Sequence, residues 1–290
     1  LHLCDRRQRQ MCIRDRNYIH LIDKGFSMKK RLSLIQMDVH VNEVEYNYAR
    51  VQELLSQALS EKPDIIVLPE TWNTGFHPSK DLINISDRNG ERTKALLSTF
   101  AKEHNVNIVG GSVAVAKEDL VFNTSYAYNR EGKLVGEYSK MHGFSPAKED
   151  QYFASGTHTT HFELDGIPCS TVICYDIRFP ELVRMAALSN TELLFVPAQW
   201  PTMRLRHWQV LNEVRAIENQ LFLCAVNGCG TVGRVQSTGH SAVYDPWGTN
   251  LLEMDTREGI SSVDIDLTVV EDIRNKINIF RDRKHELYKL

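Results

Sequence analysis

The chain has no paired cysteines, no long apolar run and little excess charge. Its six cysteines stand at 4, 12, 169, 174, 224 and 229; none forms a CxxC, and no pair has disulfide-framework or zinc spacing. That favours free thiols in a reducing compartment, here the cytoplasm. No apolar stretch approaches the roughly 20 residues that a membrane helix needs. The net charge of -3 offers no basic face for nucleic acid or an anionic lipid surface. Clustered metal ligands are missing too. His158 and His161 sit three apart, but in a stretch that reads as turn and strand, with no third ligand nearby. No metal and no cofactor is called for, and a zinc hydrolase is the weaker of the enzyme readings. What remains is an ordinary soluble composition, 42% hydrophobic and 24% charged.

Residues 1–27 do not match the rest. They carry Arg6, Arg7, Arg9, Arg14 and Arg16, show no apolar period, and lack the apolar core of a secretory signal. The phrase MCIRDR reads as translated adapter sequence. The expectation is a non-native or disordered extension over 1–27 and one catalytic domain over 28–290.

From Met28 onward, strands and helices alternate. RLSLIQMDV (31–39) has β character, 44–60 has helical apolar spacing, and DIIVLPE (64–70) is a short continuous apolar run. A helix is expected over 91–104, then strands over 107–115, 121–128 and 133–140, the last two joined by the turn NREG. HFEL and PCSTVIC read as strands, and Pro180 opens a helix to about Ser189. ELLFVP is a strand and 204–220 a strong helix, with Trp208, Leu211, Val214, Ala216 and Ile217 as its core face. Four more strands and a short helix near 269–276 follow. About twelve strands are too many for one simple open sheet. Two sheets packed face to face, with helices outside, would bury this pattern.

Three of these strands end on a reactive side chain: Glu70, Lys140 and Cys174. Active sites of α/β sheets collect where strands end. Each residue alone has a plainer reading: a solvated turn acid, a surface lysine, an inert core thiol. Together they suit acyl transfer. A carboxylate can take the thiol proton, the thiolate can attack a carbonyl, and an ammonium can stabilise the oxyanion. Attack on an amide would release ammonia and leave a thioester for water to hydrolyse. Cys169, Cys224 and Cys229 are read as inert.

LPET, EYSKMH and ICYDIRFPE resemble the nitrilase superfamily of carbon–nitrogen hydrolases, from about Lys30 to the C-terminus. The resemblance implies an α/β fold, a four-layer α-β-β-α sandwich with two face-to-face sheets. It implies Glu70 as base, Lys140 as oxyanion stabiliser, Cys174 as nucleophile and the N–H of Tyr175 as the other oxyanion donor. Glu149, nine residues past Lys140, matches the family's second active-site glutamate; its plainer reading is a loop carboxylate. Homodimers formed through helices are also implied.

QWP at 199–201, RHWQVLNEVRAIENQ at 206–220 and GHS at 239–241 look like the omega-amidase branch, which cleaves the terminal amide of 2-oxoglutaramate-like acids. Its bacterial members serve methionine salvage. Gly143 in KMHGF stands where that branch has Leu, and is expected to loosen a loop bearing on the pocket. A small amide substrate and water are thus the expected partners. The far carboxylate of such a substrate needs a cation or amide donors. Gln199, Trp200, Arg204 and Arg206 are candidates, with Phe76 at the entrance beside Trp72 and His77. Arg178 is expected to pair with Asp176 or Glu181. Other superfamily hydrolases, of N-carbamoyl amino acids, aliphatic amides or nitriles, stay open, as does a non-catalytic member of the fold.

Overall fold

The computed structural model describes residues 28–232 and 235–288; the reading of 1–27 as a foreign extension lies outside them. The strands in chain order are β1 (Lys29–Gln36), β2 (Ile65–Val67), β3 (Asp87–Arg88), β4 (Asn107–Val109), β5 (Val113–Lys117), β6 (Leu120–Tyr128), β7 (Leu134–Ser139), β8 (Phe162–Leu164), β9 (Ile167–Thr171), β10 (Leu193–Ala198), β11 (Phe222–Asn227), β12 (Thr231–Val232), β13 (Val235–Gln236), β14 (Ala242–Tyr244), β15 (Asn250–Glu253) and β16 (Gly259–Asp266). The α-helices are α1 (Val44–Ala58), α2 (Leu82–Ile85), α3 (Glu91–His104), α4 (Glu149–Tyr152), α5 (Pro180–Leu188), α6 (Leu205–Asn219), α7 (Thr268–Lys276) and α8 (Ile279–Asp282).

One sheet runs β16-β1-β2-β4-β6-β5-β3, with β7 on the free edge of β6; the other runs β15-β14-β11-β10-β9-β8. β1, β2 and β4 are mutually parallel, as are β9, β10 and β11, so each sheet has a parallel centre. Side chains alternate across a strand, and β2 shows the consequence. Ile65 and Val67 point into the layer between the sheets, against Phe195, Cys224 and Val226. Ile66 and Leu68 point the other way, to Val51, Leu55, Leu97 and Phe100 of α1 and α3. On the second sheet, Leu194, Val196 and Leu223 face α5 and α6 through Leu182, Val183 and Trp208. The result is the expected α-β-β-α sandwich.

Three details depart from expectation. The stretch 107–115 is two strands, β4 and β5, lying end to end along one edge of β6. The break falls at Gly110-Gly111: Gly111 has φ +59°, and a Cβ there would lie 1.9 Å from the carbonyl oxygen of Pro69. Only a glycine lets this bend press against the loop carrying Glu70. On α6, Trp208 and Ala216 are buried, but Val214 and Ile217 are 38% and 42% exposed. The strand expected to end on Cys174 ends at Thr171, three residues earlier. Among the described residues, no helix is long and apolar enough to cross a membrane.

Candidate active site

β2, β7 and β9 bring Glu70, Lys140 and Cys174 to one end of the two sheets. Glu70 and Glu149 are fully buried, Lys140 is 3% exposed and Cys174 8%. Lys140 Nζ donates to Glu70 Oε1 at 2.8 Å and to both oxygens of Glu149 at 2.9 Å. The loop at Glu70 is held from several sides. Gln199 N–H donates to Glu70 Oε2 at 2.8 Å, and the Gln199 side-chain amide donates to the Glu70 carbonyl at 3.0 Å. Ser112, just past the glycine bend, donates its N–H to the Pro69 carbonyl at 3.0 Å, and its hydroxyl accepts from Thr71 N–H. Glu149 opens α4 and accepts the N–H of Phe144 at 2.7 Å.

The electrostatics follow from two carboxyl groups sharing one ammonium in a dry site. Burial works against charge on Lys140, but Glu70, Glu149 and Cys174 more than offset it, and its pKa stands well above the ordinary value. Burial raises the pKa of Glu149; Lys140 opposes this and Glu70 adds to it, so the net shift is upward. The Cys174 thiol is also pushed well up, first by burial and then by Glu70, against the pull of Lys140. A thiol in that state is nucleophilic only when a base takes its proton in the same step.

Cys174 begins a 3-10 turn, Cys174–Arg178, with φ +48°. This left-handed conformation costs a residue with a Cβ about 1 kcal/mol or more. It turns the chain sharply off the strand, so that the thiol faces outward from the sheet end. Tyr175, second in that turn, has no carbonyl ahead of it within the turn to bond its N–H. Cys169 and Cys224 are buried with their pKa values raised, and Cys229 is pushed up to about 12, chiefly by burial.

The thiol opens on a cavity of about 460 Å³ walled by Phe76, Phe144, Tyr175, Arg178, Trp200 and Arg204. Gln199, Trp200, Arg204 and Phe76 therefore all reach it, as does His77, while Arg206 does not and Trp72 is buried with its indole N–H on the Gly110 carbonyl. Gln199 has its amide engaged with Glu70 and Ser237. Arg178 departs from expectation. Asp176 turns inward, to other partners, and Glu181 is exposed on α5. Arg178 instead lies 4.7 Å over the Trp200 ring with Nη2 3.2 Å from His207 Nδ1. Burial, and next the nearby Arg204, lower its pKa. Arg204 lies 5.2 Å over the Phe144 ring. No acidic side chain lines this cavity among the described residues.

Asn123 of β6 went unread in the sequence. Its Nδ2 donates to Glu70 Oε1 at 2.8 Å and reaches Glu149 Oε1 at 3.3 Å, tying the two acids together. The available signal was an amide at a buried position of a strand, LVFNTSYAY. Gly143 does not loosen its loop. A Cβ there would lie 2.9 Å from the N of Asp150, so its absence lets the loop close onto α4. His161 is hydrogen-bonded to Ser170. Among the described residues, no group of three or more His, Cys, Asp or Glu side chains could hold a metal ion.

Comparison with known proteins places the chain in a family. A family model described as carbon-nitrogen hydrolase matches residues 31–275. The chain is 39% identical over 261 residues to the 2-oxoglutaramate amidase of Bacillus subtilis (strain 168), covering 90% of this chain and 100% of that protein. It is 30% identical to the omega-amidase NIT2 of Homo sapiens, covering 89% of this chain and 96% of that protein. Among solved structures it is similar to XC1258 of Xanthomonas campestris, a CN-hydrolase superfamily protein with an arsenic adduct in its active site. The TM-score is 0.82 at 28% identity, covering 90% of this chain and 99% of that one.

Proposed function

Since the chain belongs to the carbon–nitrogen hydrolase family and hydrolyses amides, we propose that it cleaves the terminal amide of a small 2-oxo acid amide such as 2-oxoglutaramate. The observation that carries the chemistry is the ammonium of Lys140, held 2.8 Å from Glu70 and 2.9 Å from Glu149 beside a cavity onto which Cys174 opens. Glu70 takes the thiol proton as sulfur attacks the amide carbon. The oxyanion is met by Lys140 Nζ and the N–H of Tyr175. Glu70 returns the proton to the leaving nitrogen, the C–N bond breaks and ammonia departs, leaving a thioester on Cys174. Water, deprotonated by Glu70, attacks the thioester, and the carboxylic acid and free thiol are regenerated. Glu149 keeps Lys140 in place through both halves.

The substrate class is supported by the wall opposite the thiol. Arg178 and Arg204 stand on aromatic faces, with no acid in the lining among the described residues to neutralise them. A carboxylate at the far end of the substrate supplies the missing charge, and two guanidiniums suit its planar geometry. A homodimer in the cytoplasm, fed by methionine salvage, belongs to the same reading; sedimentation of the purified chain tests the dimer.

Ammonia release from a panel of oxo-amides, N-carbamoyl amino acids and simple amides tests the substrate. 2-Oxoglutaramate should be fastest, and Arg178→Met should raise its KM by about tenfold or more, the weight of one charged hydrogen bond. A faster N-carbamoyl amino acid would replace the substrate and keep the chemistry. A Cys174→Ala protein as active as the parent would remove the nucleophile.

A further inference from the structure

Asp176 follows Cys174 by two residues and is fully buried. No lysine or arginine neutralises it within hydrogen-bond reach among the described residues. Instead four donors converge on its carboxylate. Tyr138 Oη donates to Oδ2 at 2.7 Å and Ile173 N–H to the same oxygen at 3.0 Å. His142 N–H reaches Oδ1 at 3.0 Å and His142 Nδ1 reaches it at 2.8 Å. The donors form a pattern. Tyr138 and His142 lie two residues before and two after Lys140, and Ile173 immediately precedes Cys174. One side chain therefore grips the chain on both sides of the ammonium and just ahead of the thiol. The two segments come from different sheets, and β7, which delivers Lys140, is an edge strand hydrogen-bonded only along β6.

We propose that Asp176 is a positioning residue that holds the end of β7, with Lys140, in register against the turn carrying Cys174, and that His142 is its adjustable contact. The inference rests on the roles given above to Cys174 and Lys140. The Asp176 carboxylate bonds Tyr138, His142 and Ile173 and no side chain of the triad, so it acts through placement. Placement is what the chemistry is sensitive to: an error of about 1 Å between reacting groups can cost on the order of 100-fold in rate. The strain at Cys174 gives the clasp a reason to exist. A residue held at φ +48° relaxes unless its neighbours oppose it, and the Ile173 N–H bond to Asp176 fixes the residue just before it. His142 is about one-third exposed and stacked at 3.6 Å on Phe179, so it can be changed without opening the core.

The test is the pH dependence of Cys174 alkylation by iodoacetamide, read beside kcat, KM and melting temperature. The charged groups that act on that thiol are Glu70, Lys140 and Arg178; Lys140 is the one that favours thiolate and sits on the clasped strand. His142→Ala should melt close to the parent and lose about tenfold in kcat, with KM held within about twofold. Its alkylation profile should move to higher pH as Lys140 drifts from the sulfur. His142→Asn, which restores a donor near the Nδ1 position, should recover most of both. Asp176→Asn should lose about 100-fold in kcat; if it does not fold, the His142 pair decides. A folded His142→Ala protein with the parent's kcat and alkylation profile overturns the inference. So does a variant that only lowers the folded fraction and leaves the profile in place. Failure of the parent itself to be inactivated at Cys174 would instead remove the proposed function.

Discussion

Two ionic clusters, one buried and one partly buried, sit at opposite ends of the sandwich. At the carboxyl ends of the parallel strands, Lys140 lies between Glu70 and Glu149. At the amino ends, Lys30 and Arg130 meet Asp165 at 3.2 and 2.8 Å, and Arg130 also meets Asp64 at 2.6 Å. Both clusters join distant segments, but their charge ratios differ. The second has two cations for two acids. Burial raises the pKa of Asp165, yet Arg130, Asn107 and Lys30 more than offset it, and the carboxyl ends below its ordinary value. The first has one cation for two acids, and Glu149 ends above its ordinary value. The first cluster is the drier, its side chains at most 2% exposed, whereas Arg130 and Asp64 of the second are 25% and 32% exposed. The opposite shifts of Asp165 and Glu149 follow the cation count together with this difference in burial.

Substitutions at the two ends should separate activity from stability. The largest effect is expected from Cys174→Ala, with ammonia release at least about 1000-fold lower and an unfolding midpoint no lower than the parent's. Next, Asp165→Asn takes from Lys30 and Arg130 the acid they share and should cost about 1–3 kcal/mol in denaturant unfolding, while the remaining folded protein keeps near-parental turnover. Glu149→Gln should reverse that pattern. Ammonia release falls about 100-fold and stability falls less than in Asp165→Asn. If Glu149→Gln unfolds as readily and stays active, the two clusters do one job and the distinction is wrong.

The smallest effect is in the pH dependence of the melting temperature. Asp165 has a depressed pKa in the fold, so its contribution is present above the unfolded value of about 3.9 and disappears as pH falls through the folded value. Asp165→Asn should flatten that acid limb. Glu149 has a raised pKa, so its contribution is present below about 4.3 and is lost as pH rises through the folded value. Glu149→Gln should flatten the rising-pH limb instead. Melting curves that respond in the same direction in both variants would contradict the contrast.

The sandwich was legible because its strands advertise themselves. DIIVLPE and ELLFVP have continuous apolar runs inside their acidic ends, as strands covered on both faces must. The strand ends Glu70, Lys140 and Cys174 were legible as chemistry. Their companions were harder. Asn123 went unread, and its importance appears only when β6 carries it between two acids 79 residues apart in the chain. Arg178 misled because its nearest charges in the chain, Asp176 and Glu181, are not its neighbours in space. Gly143 misled differently: flexibility suggested a loose loop, whereas the missing side chain allows a tight one.

The order of residues alone determined the two-sheet architecture, because the period of apolar side chains dictates which faces must be covered. It also determined which side chains could serve as base, cation and nucleophile, since those chemistries belong to residue types. The fold decided which carboxyl groups share a cation, which arginines meet the cavity, and that Asp176 turns inward instead of toward Arg178. Those outcomes depend on distances of 3–5 Å between segments far apart along the chain, and electrostatic and hydrogen-bond energies are set by such distances and not by sequence separation.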